Sequence, residues 1–198
     1  MNSSAPSPKN RRARWLLAII AFVGLLALAA CGPAFPIHPL YMDGDVVFDA
    51  DLLAAWGGTD EEPNIFQIEK ASDNSYRITV RSSDSSKEVF FSAHLVNLSG
   101  YLFLDATQEN ARGQGGDEDS LQIPAHIIAR IWLNRDSLQL SYLDEDGVAS
   151  DDSVGPTRVP DFGTVLTGST EALQHFAIEH ADDNMVFSQV PDEMRRQN

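Results

Sequence analysis

The sequence predicts a mainly β domain: an antiparallel meander or barrel with one C-terminal helix packed on it, preceded in the precursor by an N-terminal signal helix. Three observations predict it. Apolar residues recur with period two between Ile65 and Tyr142, which is the spacing of half-buried strands. Short segments rich in Ser, Asp, Asn and Gly separate these runs, as they do between hairpin-linked strands. One stretch after residue 168 changes to helical periodicity.

The first thirty residues stand apart. Met1 to Trp15 is basic through Lys9, Arg11, Arg12 and Arg14, with no acidic residue. Leu16 to Ala30 is unbroken apolar sequence and ends in small residues before Cys31. Basic, apolar and small-residue parts in that order make a secretory signal. The apolar run is shorter than the roughly 20 residues that span a bilayer as a helix. Gly32 to Pro39 carries three prolines and reads as an extended tether, with the folded part starting between Met42 and Leu53.

The strands follow. Ile65 to Ile68 alternates imperfectly. Tyr76, Ile78 and Val80 share one face, and Arg77, Thr79 and Arg81 the other. Val89, Phe91, Ala93 and Leu95 alternate with Phe90, Ser92 and His94. Tyr101 to Leu104 is a short apolar run. Ile127, Ala129, Ile131 and Leu133 alternate with Arg130 and Asn134, and Leu138, Leu140 and Tyr142 with Gln139 and Ser141. Turns are expected at Ser72–Ser75, Ser82–Ser86 and Asn97–Gly100. Gln108–Ser120 and Asp144–Pro160 read as exposed acidic loops.

The helix is expected to begin at Ser169 or Thr170, which can cap it, with Glu171 at the positive end of its dipole. Leu173, Phe176, Ala177 and His180 then form one stripe. Asp182-Asp183-Asn184 ends it, and Val190–Asn198 is expected to add a short frayed helix.

Leu28-Ala29-Ala30-Cys31 resembles the lipobox of bacterial lipoprotein precursors. That resemblance implies cleavage between Ala30 and Cys31, a thioether-linked diacylglycerol on Cys31 and an acyl chain such as palmitate on its amine. Two or more chains anchor a protein stably to a membrane. Gly32, where Asp would signal inner-membrane retention, implies the outer membrane in a bacterium with two. The resulting division is 1–30 signal, 31–50 lipidated Cys31 and tether, 51–168 β domain, and 169–198 helix and tail. Leu53-Ala54-Ala55-Trp56 at the head of the strands, with a helix after the last, is similar to lipocalin-like barrels, in which an early Trp plugs one end. Phe91-Ser92-Ala93-His94-Leu95, Phe103-Leu104-Asp105 and Pro124-Ala125-His126 resemble a group of uncharacterised bacterial lipoproteins.

Charge removes several function classes. Taking the signal's four basic residues from the chain's 14 leaves 10 against 29 acidic ones, a formal net charge of −19. Nucleic-acid binding needs Lys and Arg on phosphate, so nucleic acid is not an expected partner. Cys31 is the only cysteine, so no disulfide or thiol chemistry is expected in the mature domain.

No Gly-x-Ser-x-Gly elbow and no His-Glu-x-x-His occur in the chain. His94 and Asp105 fall on strands expected to be neighbours, and His126 opens the next. These three are the candidate site residues, read either as structural polar contacts, with His94 and Asp105 hydrogen-bonded across the strand pair, or as a hydrolase site with His94 as base and Asp105 as its orienting carboxylate. Glu171, His175 and Glu179 share a helix face and read as a solvated stripe. Asp144-Glu145-Asp146-Gly147 resembles the middle of a calcium loop, but Tyr142 and Ser153 stand at its end positions, where carboxylates belong. No metal and no cofactor is expected. Two functions remain: a lipid-anchored, non-enzymatic envelope domain that binds a partner protein or a small apolar ligand, or an envelope hydrolase working at His94, Asp105 and His126.

Overall fold

Period-two sequence becomes a closed ring of strands. The structure is a computed structural model that describes residues 32–58, 64–81, 88–109, 125–160, 162–187 and 192–197. Among them, the strands in chain order are β1 Phe35–Pro36, β2 Val46–Val47, β3 Ala55–Gly57, β4 Ile65–Ser72, β5 Ser75–Arg81 and β6 Glu88–Leu98. There follow β7 Tyr101–Gln108, β8 His126–Leu133, β9 Ser137–Tyr142, β10 Pro156–Val159, β11 Gly163–Leu166 and β12 Asp192–Arg196. The α-helices are α1 Glu145–Val148 and α2 Thr170–Glu179.

Strands β3 to β9 run as an antiparallel meander, and β12 inserts between β9 and β3 to close an eight-stranded barrel. Closure leaves no long open edge for another chain to pair with. Strand β6 outruns β5, and β2 pairs with the extension at Leu95 and Val96. The β6–β7 turn places Ser99 at φ 53° and Gly100 at φ 89°, the two left-handed positions of a tight hairpin turn.

Two cores result. Inward residues of the barrel, among them Ile68, Ile78, Leu95, Ala129, Ile131 and Leu138, form one. The outer faces of β6, β7 and β8 form the floor of the other, through Val96, Leu98, Phe103 and Ile128. Helix α2 covers that floor with Leu173, Phe176 and Ala177, so it packs on the barrel wall. Ser169 caps it, accepting the Ala172 amide at 3.3 Å. Phe103 to Ala106 is buried on both faces, which is why Tyr101–Leu104 reads as a continuous apolar run and not as an alternation.

The structure corrects three expectations. Gly32–Pro39 is not an extended tether: Ala34 and Leu40 are buried, and β1 pairs in parallel with β11 at Phe35↔Val165 and Pro36↔Leu166. Apolar Ala34, Pro36 and Leu40 supply the burial that a free linker lacks. Asp144–Pro160 is not an exposed loop. It holds α1, a 3-10 turn at Asp152–Val154 and β10, and it buries Val148 and Val154. Gly147 is needed there, because a β-carbon would fall on the Met185 carbonyl oxygen. The tail is no helix: Asp192–Arg196 is a strand with Met194 buried inside the barrel. Residues assigned to the tether and tail therefore belong to the folded unit Gly32–Asn198. The signal helix, the turn at Ser82–Ser86 and most of Gln108–Ser120 lie outside the described residues.

Candidate functional site

Trp56 and Arg196 bring β3, β12 and two turns together. Trp56 is fully buried, and its indole Nε1 donates to the Leu52 carbonyl at 2.9 Å. The guanidinium of Arg196 lies 4.7 Å from the Trp56 ring centre. It donates to the carbonyls of Arg135 at 2.8 Å and Asp51 at 2.5 Å. One side chain thus ties the β8–β9 turn, the turn before β3 and Trp56 together, combining cation–π attraction with charge-assisted hydrogen bonds.

Elsewhere the interior is incompletely filled. A cavity of about 240 Å³ lies among the strands. Phe66, Ile68, Ile78 and Val80 line it from β4 and β5, and Val89 and Phe91 from β6. The far wall is Leu104, Ala106, Ile127, Leu138, Leu140 and Met194, with Tyr142 carrying the one hydroxyl of the lining. Ala106 is the one small residue of this lining, beside the larger Leu104 on the same wall. Such a lining offers water few of the two to four polar partners it needs.

The three candidate polar residues come together on the outer wall, not in the cavity. His94 and Asp105 are register partners on β6 and β7. The carboxylate, however, binds elsewhere. Asp105 Oδ1 lies 2.6 Å from His126 Nδ1, and Oδ2 accepts the Leu40 amide at 2.7 Å. Both Asp105 and His126 are buried. His94 instead packs at a tilt against Tyr41, ring centres 4.5 Å apart and planes at 40°. Burial lowers the His94 pKa, against the opposing pull of Asp105, and burial also raises that of Tyr41. In chemical terms Asp105 holds one imidazole and one backbone amide. It thereby locks the segment through Leu40 onto the barrel.

Arg130 is a buried cation that the sequence reading passed over. It lies on the same wall, 8% exposed. Its guanidinium sits 4.9 Å from the Tyr101 ring, 4.8 Å from Trp132 and 5.6 Å from Phe103. It donates to the Leu102 and Ile131 carbonyls at 2.9 and 2.8 Å, while Nε has no hydrogen-bond partner. Burial lowers its pKa. An Arg two residues before a Trp on one strand, as Arg130 and Trp132 stand, is the local signal that could have marked it.

The remaining candidates are dispersed. His175 and Glu179 lie 3.6 Å apart on the exposed face of α2. Asp144 caps α1, accepting the Asp146 amide at 2.8 Å. Glu145 is buried, bound to Arg158 at 2.5 Å and Thr164 at 3.1 Å. Among the described residues no group of three His, Cys, Asp or Glu side chains is placed to hold a metal ion. No helix among them is long and apolar enough to cross a membrane. The chain matches no protein-family model, no curated protein and no solved structure.

Proposed function

We propose that this is a lipid-anchored cell-envelope protein whose barrel binds a small apolar ligand without catalysing a reaction. One observation carries the binding part: the interior keeps an apolar cavity of about 240 Å³. A well-packed interior has few voids larger than a water molecule. An apolar cavity of about 150 Å³ suffices to take up benzene, and drug-sized ligands occupy pockets of roughly 300–1,000 Å³. The ligand class is therefore uncharged and compact, such as a two-ring aromatic or a short acyl chain. The anchoring part rests on the lipobox-like Leu28–Cys31, with the outer membrane as the site in a two-membrane bacterium.

The His126–Asp105 contact supports the hydrolase reading only weakly. A carboxylate that orients an imidazole is what a general base requires. Here the carboxylate's second oxygen holds Leu40 and both side chains are buried. A positioning role for the pair accounts for its hydrogen bonds among the described residues.

The test uses the domain Gly32–Asn198 and the neutral two-ring fluorophore 1-aminonaphthalene. Its emission should shift to the blue saturably with wild-type domain. Ala106→Phe, which fills the cavity from its wall, should remove the response while cooperative unfolding persists. No saturable response from wild type, or an equal response from the variant, would overturn the ligand-binding reading.

A further inference from the structure

Gly32 is the first described residue and is held firmly. Its carbonyl accepts the Glu145 amide at 2.9 Å, and the next residues bridge Pro33 to Asp144 and bond the Ala34 amide to the Leu143 carbonyl at 2.9 Å. A backbone hydrogen bond from Gly32 also helps lower the Glu145 pKa, after the larger effect of Arg158. The residue that follows Cys31 is thus part of the folded body. Consecutive Cα atoms lie about 3.8 Å apart, so a lipid on Cys31 would be joined to the domain with no spacer. The polar zone on each side of a bilayer's hydrocarbon core is only about 5–8 Å deep. Whatever surface surrounds Gly32 must then stand in that zone.

That surface is apolar where it counts. Five large apolar side chains are exposed among the described residues, and two of them, Phe162 and Met185, lie on segments that reach Phe35 and α1. Phe162 is half exposed and packs on Phe35, ring centres 5.2 Å apart. A β-carbon added to the next residue, Gly163, would meet Phe35 and the Glu145 carboxylate. Met185 passes over Gly147 in α1, and the neighbouring Val186 carbonyl accepts the Asp144 amide at 2.8 Å. Arg158 adds a well-exposed cation paired with Glu145. A basic side chain among apolar ones suits a phospholipid surface. Exposed apolar side chains gathered at one place mark an interaction face.

We infer that Phe162 and Met185, with Arg158, form a membrane-seating face that presses the barrel against the lipid headgroups around the Cys31 anchor. The inference rests on lipidation of Cys31, as proposed above. Tyr142, which lines the cavity, precedes Glu145 by three residues, so the seating face and the cavity are joined by one short segment.

The full processed protein is reconstituted in phosphatidylcholine vesicles with brominated acyl chains, and mass spectrometry of the chain reports the lipid on Cys31. Phe162→Trp and, separately, Met185→Trp place an indole in the face. Asn74→Trp places one in the β4–β5 turn at the opposite end of the barrel. Relative to the parent protein, bromolipid should quench most of the emission added at 162 and 185 and leave that at 74 unchanged. Lipidated protein with unquenched indoles at both 162 and 185, or with equal quenching at 74, overturns the seating face and leaves the anchor standing. A chain that carries no lipid on Cys31 overturns the anchor and the seating face with it.

Discussion

Asp105 and His126 share a buried 2.6 Å hydrogen bond between adjacent strands, and the same carboxylate accepts the amide of Leu40 at 2.7 Å. Leu40 is fully buried under α2. The carboxylate therefore joins the barrel wall to the segment that leads in from Cys31.

Asp105→Ala should leave both the His126 ring and the Leu40 amide without a partner. Each orphaned buried group costs about 1–3 kcal/mol. His126→Ala orphans only one carboxylate oxygen and should cost less. Urea denaturation of the two variants checks the order; a larger loss for His126→Ala would contradict it.

Glu145 gives the domain an acid-sensitive limb. The Arg158 guanidinium, foremost, holds its folded-state pKa below the ordinary glutamate value, with Thr164 and Gly32 adding to the effect against burial. An unfolded glutamate titrates near about 4.3. A lowered folded pKa means that the unfolded state binds the proton more readily. The contribution is then fully present above the unfolded value and is lost as pH falls through the folded one. Glu145→Gln should lower stability at neutral pH and flatten its decline below about pH 4.3. Denaturation midpoints across that range measure it, and parallel profiles for the two proteins would refute the assignment.

Ile131 and Phe91 separate core from cavity. Ile131 is 1% exposed and sits in the barrel core, so Ile131→Ala should cost about 2–5 kcal/mol. Phe91 is only half-buried and lines the cavity. Phe91→Ala enlarges a space that already exists, so it should cost less than Ile131→Ala and admit bulkier apolar probes. Thermal unfolding with and without such probes distinguishes the two sites.

Cys31→Ser should block both lipid attachment and cleavage. Wild type should partition into the detergent phase without its first thirty residues, whereas the variant keeps its signal segment. An unmodified Cys31 in protein extracted from membranes would contradict the anchor.

Legibility differed by element. The faces of β5, β6, β8 and β9 were readable because period two is a property of one strand and its neighbours. The Ser169 cap and the stripe Leu173–Phe176–Ala177 were readable because a helix start depends on three or four consecutive residues. Strand β12 was not. Asp-Glu-Met-Arg-Arg carries a single apolar residue, and it becomes a strand because β9 and β3 offer free edges on either side of it. The proline-rich start was misread for a similar reason: Pro33, Pro36 and Pro39 look like a linker until β11 supplies a partner.

At the candidate site, the sequence brought His94, Asp105 and His126 into one neighbourhood, because the strand order of a meander follows the chain. Which side chain the carboxylate chooses depends on rotamers and on Leu40, 65 residues earlier, and no local pattern records that. By itself the sequence determined the mainly β class, the inward and outward faces, the ten-residue helix capped by Ser169 and the lipobox-like Cys31. Closure of the barrel, docking of the N-terminal segment and the cavity were decided only by the tertiary structure. Closure needs two distant edges to meet, and a cavity is the volume left over when side chains from seven strands share one interior.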